Sequence, residues 1–186
     1  TLHMKKQESL FKSLFKLDTQ FGNLKDLEEW LIDMNNRIEV NIEEVNFHEL
    51  DKWSYDSIGN LVHDTGRFFS IEGLTLTSSV TDDYTWDQPI INQPEIGYLG
   101  ILAKEFDGVL YFLMQAKIEP GNLNNVQLSP TLQATKSNYS KVHEGNAPAY
   151  LEYFQEVGLS NVIFDQLQSE QGSRFLRKRN RNMIIH

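Results

Sequence analysis

The dipeptide Asp107-Gly108 restricts the fold of this chain more than any other feature, because it separates two long apolar segments that favour β-structure. The flanking segments cover residues 96–106 and 109–118, and each is long enough for a strand. Both turn positions tolerate a positive φ, which a tight β-hairpin requires. The spacing therefore predicts an antiparallel hairpin, and with it a sheet in the middle of the chain.

Apolar residues at helical spacing predict two helices before this sheet. The first covers residues 8–17, and the second begins after the capping residue Asn23 and ends near Glu39. Their apolar stripes are expected to pack in a core or against a partner. We interpret residues 1–46 as an N-terminal helical segment and residues 47–186 as the main domain.

Short β-favouring segments with turn residues between them continue from about residue 47 onward. After the turn at Pro120-Gly121-Asn122 we expect three further strands and one helix. The strands are expected at 126–135, 150–154 and 174–185, and the helix from Ser160 to Gln171, ended by Gly172. This order of elements predicts an α+β protein with N-terminal helices and a mostly antiparallel mixed sheet.

Composition and charge restrict the possible partners. The 186 residues carry a net charge of −9 and include no cysteine, so disulfides and thiolate metal sites are excluded. General nucleic-acid binding is disfavoured, because the phosphate backbone must be met by basic side chains. No apolar run is long enough to span a membrane, and no secretory signal is recognisable. We therefore expect a cytoplasmic protein with neither a nucleic-acid nor a membrane partner.

Basic residues are concentrated near the C-terminus, where no acidic residue lies between 173 and 186. The basic residues of this segment are Arg174, Arg177, Lys178, Arg179 and Arg181. Such a cluster suits a small anion such as a pyrophosphate, or it is a solvated basic strand.

Polar side chains in the folded middle of the chain are candidates for a ligand site. In residues 86–95 two prolines predict an edge or connecting segment that carries Gln88, Gln93 and Glu95. Trp86 in this segment either stacks on a nucleobase or packs in the core.

The segments that follow the central hairpin are polar as well. Gln115, Lys117 and Glu119 alternate, so on a strand they would share one face. Lys117 and Glu119 either face a polar ligand or simply pair with each other at the surface. Short hydrogen-bonding residues also alternate along the next segment, at Gln127, Ser129, Thr131, Gln133 and Thr135. That pattern suits a sugar-nucleotide pocket, or it is an exposed sheet face.

Familiar motifs for metal or nucleotide chemistry are missing from the sequence. None of His48, His63 and His143 has a second histidine three or four residues away, as zinc motifs usually do. Walker, Gly-x-Gly-x-x-Gly and Gly-x-Ser-x-Gly patterns are absent too. We therefore expect no metal and no redox cofactor.

Several ordered blocks between residues 53 and 185 resemble the NDP-hexose 2,3-dehydratase family. The blocks are HDTGRFF (63–69), QPIINQPE (88–95), QAKIEPGN (115–122), QLSPTLQATKSNY (127–139), YLEYF (150–154), QSEQG (168–172) and KRNRNM (178–183). The resemblance implies a Nudix-hydrolase-like fold without the phosphohydrolase signature, and loss of water from a dTDP-4-keto-6-deoxyhexose. Members usually carry two repeats and this chain matches one. It is therefore either a half-length enzyme that forms a homodimer or part of a longer protein.

The same resemblance implies candidate roles for individual residues. The C4 ketone of the sugar acidifies the C3 hydrogen, a base removes it, and the enolate expels the C2 hydroxyl. Candidates for the base, the acid and the enolate donor are Glu119, Lys117, His143, Tyr139 and Glu95. Candidates for substrate contacts are His63, Arg67, Trp86, Gln88, Gln93, Gln115, Asn122, Gln127, Ser129, Thr131, Gln133, Asn138, Arg177, Arg179 and Arg181.

Two other functions agree with the same residues. One is a non-catalytic sugar-nucleotide-binding domain. The other is an isomerase or epimerase that uses the same enolate chemistry without losing the hydroxyl. Detection of water loss from the nucleotide sugar would separate dehydration from both.

Overall fold

The computed structural model describes residues 2–79, 84–135 and 147–186. Its helices there are α1 (Leu2–Ser13), α2 (Leu24–Arg37) and α3 (Leu151–Gln155), with 3-10 turns at Phe47–Glu49 and Leu159–Asn161. No helix in this part of the chain has the length and apolar character needed to cross a membrane.

The strands form a short hairpin and two sheets. The hairpin consists of β1 (Asp18–Thr19) and β2 (Gly22–Asn23). The smaller sheet contains, in spatial order, β3 (Trp53–Tyr55), β4 (Leu61–His63), β5 (Ser70–Ser78) and β6 (Tyr84–Asn92). The larger sheet contains β7 (Tyr98–Phe106), β8 (Val109–Lys117), β9 (Gln127–Pro130), β10 (Leu132–Ala134), β11 (Val162–Ser169) and β12 (Arg179–Ile185). Its order is β11-β12-β7-β8-β9, with β10 also paired to β7.

The predicted central hairpin is confirmed. Phe106 pairs with Val109, and both turn residues have a positive φ, 52° at Asp107 and 75° at Gly108. The larger sheet is antiparallel except for β12, which runs parallel to β7. The α+β class and the mostly antiparallel mixed sheet are therefore confirmed.

The two N-terminal helices form, although the first ends early. Asn23 caps α2 as predicted, and it forms a reciprocal capping box with Asp26. Helix α1 ends at Ser13 instead of residue 17. Bonds from the amides of Leu14 and Phe15 to carbonyls three residues earlier tighten the chain there into a turn.

The strand predicted at 150–154 is wrong, because these residues form α3. Leu151 and Phe154 lie three positions apart, so a helix turns both towards the larger sheet. Both are buried in the main apolar cluster, which also contains Leu132, Ala134, Met183 and Ile185. A β-carbon on Gly100 would lie only 2.2 Å from the Phe154 ring, so the missing side chain lets α3 pack directly on β7.

The helix predicted from Ser160 to Gln171 is also wrong, because most of this segment is strand β11. β11 pairs along its length with β12, and this pairing overrides the local helix signals. Its polar residues are exposed because β11 lies at the edge of the sheet.

Two predicted strands are shorter than expected, and one prediction about an edge is confirmed. The segment 126–135 is divided into β9 and β10 at Thr131, and the last strand begins at Arg179 instead of residue 174.

The proline-containing strand β6 lies at the edge of the smaller sheet. Ile91 of β6 bonds through its backbone to Arg174 and Leu176, which joins the two sheets.

Candidate active site

A small polar pocket lies where β8 ends and β9 begins. It has a volume of about 170 Å³. We call it the polar pocket and define it by six of its lining residues, Lys117, Glu119, Asn122, Gln127, Ser129 and Gln133.

A chain of polar contacts crosses this pocket. The Lys117 Nζ atom lies 2.9 Å from Glu119 Oε1 and 2.9 Å from Gln133 Oε1. The Gln133 Nε2 atom lies 3.5 Å from the same carboxylate oxygen, and Ser129 Oγ lies 3.4 Å from Gln133 Oε1. The amide of Gln133 is thus oriented with its oxygen towards two donors and its nitrogen towards the carboxylate.

The register of β8 against β9 brings these residues together. Lys117 is paired with Gln127, and Gln115 with Ser129, so these side chains lie on the same face. After β8 the chain turns, and the backbone amide of Asn122 donates to the backbone carbonyl of Glu119 at 3.0 Å. The turn holds Glu119 at the rim, where 46% of its side chain is exposed against 30% for Lys117.

Gln115 and Thr131 lie near the polar pocket but bond to the backbone. Gln115 Nε2 donates to the carbonyl of Pro130 at 2.9 Å. Thr131 is buried, and its hydroxyl donates to the carbonyl of Leu113 while accepting from the amide of Leu102 at 3.0 Å. Thr131 therefore fixes the break between β9 and β10, and the predicted single polar face from Gln127 to Thr135 is divided there.

Trp86 and Gln88 lie on the same face of the edge strand β6. The Trp86 ring is partly exposed beside Tyr84, with centroids 5.2 Å apart. Its Nε1 atom donates to Gln88 Oε1 at 3.1 Å, while Gln88 Nε2 donates to the carbonyl of Ser173 at 2.8 Å. An aromatic face is thus available beside the start of the basic C-terminal segment. Gln93 and Glu95 follow, and both are half-buried.

His63 and Arg67 lie around a turn of the smaller sheet. The ring of His63 packs against Phe68, with centroids 4.3 Å apart, and its Nδ1 atom lies 3.0 Å from Thr65 Oγ1. The side chain of Arg67 is exposed. His63 is therefore held mainly by its neighbours in the fold.

The C-terminal arginines differ in their surroundings. Arg177 and Arg179 are exposed, whereas Arg181 binds the Asp165 carboxylate through two bonds of 2.8 and 2.6 Å. These bonds lower the pKa of Asp165 and raise the pKa of Arg181. Among the predicted phosphate contacts, Arg181 is thus already engaged, while the side chains of Arg177 and Arg179 face solvent.

Lys178 belongs to the predicted basic cluster but was not among the individual substrate contacts, and the structure shows it buried. Its Nζ atom donates to the carbonyl of Glu95, and burial lowers the pKa of Lys178. The sequence presents these basic residues as one cluster, and nothing in it indicates that the lysine among them is internal.

Three further candidates, Asn138, Tyr139 and His143, lie outside the described residues. In the parts that are described, no three histidine, aspartate or glutamate side chains lie together as a metal site would need. The metal-free and cofactor-free chemistry remains a prediction.

A much larger cavity, of about 1130 Å³, lies between the N-terminal segment and the larger sheet. Apolar side chains such as Trp30, Phe112 and Met114 form most of its lining. Ionisable side chains, including Glu152 and His186, also line this cavity. We select the polar pocket because a carboxylate, an ammonium group and an amide converge there within 3.5 Å, which suits sugar hydroxyls and proton transfer.

The sequence model of the NDP-hexose 2,3-dehydratase family matches residues 24–186. The chain belongs to this family. Members that are similar to it are named dTDP-4-dehydro-6-deoxy-α-D-glucopyranose 2,3-dehydratase. The protein from Saccharopolyspora spinosa is 53% identical over 157 residues, which cover 84% of this chain and 32% of that protein.

The relative from Amycolatopsis orientalis is 52% identical over 167 residues, covering 87% of this chain and 36% of the relative. The relative from Streptomyces violaceoruber is 49% identical over 158 residues, covering 84% and 36%. The chain thus spans about a third of the length of these dehydratases. The resemblance to the family predicted from the sequence blocks is confirmed.

Proposed function

We propose that this chain is a lyase domain that removes water across C2 and C3 of a dTDP-4-keto-6-deoxyhexose in deoxysugar biosynthesis. The observation that carries the proposal is the polar pocket, in which a carboxylate, an ammonium group and an amide lie within 3.5 Å of one another. The relatives' names support the reaction and the substrate, since they describe a 2,3-dehydratase acting on a dTDP-4-dehydro-6-deoxy sugar.

The geometry suits a stepwise elimination. The C4 ketone acidifies the C3 hydrogen, and Glu119 removes that proton to leave an enolate. Lys117 and Gln133 donate to the enolate oxygen. The enolate re-forms the ketone as a C2–C3 double bond forms and the C2 hydroxyl leaves, taking a proton to become water. The resulting enol then tautomerises to the 3,4-diketone.

Binding of the dTDP portion requires protein contacts to its nucleobase and to its diphosphate. Trp86 offers a partly exposed aromatic face for the base, and the exposed Arg177 and Arg179 offer charge-assisted bonds to the diphosphate. We propose binding without a metal, since guanidinium groups meet the phosphate charge directly. His63, Arg67, Gln88 and Gln93 stay proposed contacts for the rest of the substrate.

Mass spectrometry of the nucleotide sugar after incubation with the chain tests this function. Loss of the mass of one water from dTDP-4-keto-6-deoxyglucose, in the presence of a chelator, is the expected result. No loss of water, together with the mass gain from exchange of the C3 hydrogen for deuterium in deuterated solvent, would favour the isomerase or epimerase. Unchanged mass without exchange, but with dTDP bound in calorimetry, would favour a non-catalytic binding domain.

We also propose that the chain acts as a homodimer in the cytoplasm, with residues 47–186 as a Nudix-like domain after a helical segment at 1–46. Large apolar side chains of the N-terminal segment support self-association, because Phe11, Leu14 and Phe15 are each more than 60% exposed.

The mixed sheet, with β12 parallel to β7, supports the Nudix-like comparison. The absence of cysteine agrees with a reducing compartment.

A further inference from the structure

Helix α2 is tied to the loop beside the polar pocket by the side-chain amide of Asn35. None of the residues of α2 is buried, so apolar packing holds this helix only weakly. Asn35 of α2 accepts a bond from the amide of Val126 at 2.8 Å and donates to the carbonyl of Val126 at 3.0 Å. The side chain thus pairs with both backbone groups of one residue, as a neighbouring strand would.

The residue held in this way lies next to the polar pocket. Val126 is 2% exposed and directly precedes Gln127, which lines the pocket. The loop between β8 and β9 covers residues 118–126 and contains Glu119, so the segment 119–127 includes three residues of the polar pocket. A second bond, from Asn125 Nδ2 to the carbonyl of Ile38 at 2.6 Å, ties the same loop to the end of α2.

We propose that Asn35 is a positioning residue for the reaction and acts through Val126 to hold Glu119 and Gln127 in place. The inference rests on the proposed function of the polar pocket, and Asn35 itself does not line that pocket. Every polar atom of its amide is used, because Nδ2 also donates to the carbonyl of Leu31 at 2.9 Å. The loop therefore depends on an amide at this position, with both a donor and an acceptor.

The isosteric change Asn35→Asp tests this dependence directly. A carboxylate can still accept from the amide of Val126, but it places an oxygen against the carbonyls of Val126 and Leu31. Asn35→Ala removes the bonds without adding charge. Asn36→Ala is the matched control, because Asn36 is the neighbouring residue of the same type and is exposed.

Two readouts are measured on each variant of the full chain: backbone hydrogen exchange over residues 119–127, and steady-state water loss with separate titration of dTDP. Both Asn35 variants should exchange faster over 119–127, and kcat should fall about 10- to 100-fold, as expected for slightly misplaced catalytic groups. Affinity for dTDP should stay at the parental value, and Asn36→Ala should resemble the parent in every measurement.

A parental kcat in Asn35→Ala, or a fall in kcat without faster exchange over 119–127, would overturn the positioning role. If the Asn35 variants do not fold, Asn125→Ala removes the second bond to the same loop and should give the same pattern in smaller degree; parental behaviour there would also overturn it. A parent chain that never releases water contradicts the proposed function alone. In that case, unchanged backbone hydrogen exchange over residues 119–127 in Asn35→Ala would still show that the bonds from Asn35 to Val126 do not hold the loop.

Discussion

Asp165 and Arg181 form a two-bond ion pair between β11 and β12, and its contribution to stability should depend on pH. Bonds from Arg181 lower the pKa of Asp165 in the folded chain below the ordinary 3.8. The Asp165 carboxylate therefore binds a proton more readily in the unfolded chain than in the folded one. The ion pair stabilises the fold at pH values above the unfolded-state pKa, and this stabilisation is lost as the pH falls through the lower folded-state pKa. Because the side chain of Arg181 is 41% exposed, we expect the ion pair to contribute only about 1 kcal/mol to the free energy of unfolding.

Urea unfolding of Asp165→Asn measures this contribution. At neutral pH the variant should be less stable than the parent by about 1 kcal/mol, and the difference should disappear well below about pH 3. Asp51→Asn is the control, because Asp51 is exposed. A deficit for Asp165→Asn that persists unchanged in acid would show that the pair does not act through charge.

At the scale of residues, alternation predicted one polar face with Lys117 and a separate polar face with Gln127 and Ser129. The pairing of β8 with β9, which brings the two faces together, does not follow from periodicity. The role of Thr131 in the backbone and the contact from Asn35 could not be predicted. They depend on contacts between residues far apart in the chain, 91 positions for Asn35 and Val126.

At the scale of elements, the packing of α3 on β7 depends on Gly100. A β-carbon there would lie 2.2 Å from the Phe154 ring, so Gly100→Ala forces the ring or the helix to move. We expect a loss of about 1–3 kcal/mol in the free energy of unfolding, measured with urea, as for other overpacked cores.

Gly73→Ala on β5 is the matched control for this prediction. A β-carbon at Gly73 meets nothing within 4 Å, so alanine there should leave stability unchanged or slightly raised. Equal stability for the two variants would mean that α3 is not packed on β7 as described.

Elements with strong local signals were predictable, and elements decided by pairing were not. The hairpin at Asp107-Gly108 and the capped start of α2 are determined by a few neighbouring residues. In residues 160–171 the capping residue Ser160 and the following Gly172 favoured a helix. The segment forms a strand instead, because it pairs with β12 in the sheet. The aromatic segment 150–154 was misread because Leu151 and Phe154 fit helical as well as β-favouring patterns.

At the scale of the whole molecule, the exposed apolar side chains of the N-terminal segment should be covered by a second copy. Phe15 is 70% exposed, and its ring lies edge-on to that of Phe11 with the centroids 5.2 Å apart. Sedimentation equilibrium should give a dimer, and Phe15→Glu should weaken it, whereas Lys16→Glu, which changes charge at a neighbouring exposed position, should not. A mass that stays at 21.6 kDa at all concentrations would contradict the homodimer.

The central claim is that the carboxylate of the polar pocket removes the C3 proton, and exchange of that hydrogen in deuterated solvent tests it most directly. Glu119→Gln keeps the size of the side chain and removes the base. It should bind dTDP like the parent but lose exchange and water release by about 10²–10⁴-fold, as is usual for loss of a general base. Exchange by Glu119→Gln at the parental rate would contradict the account and direct the search to His143 and Glu95.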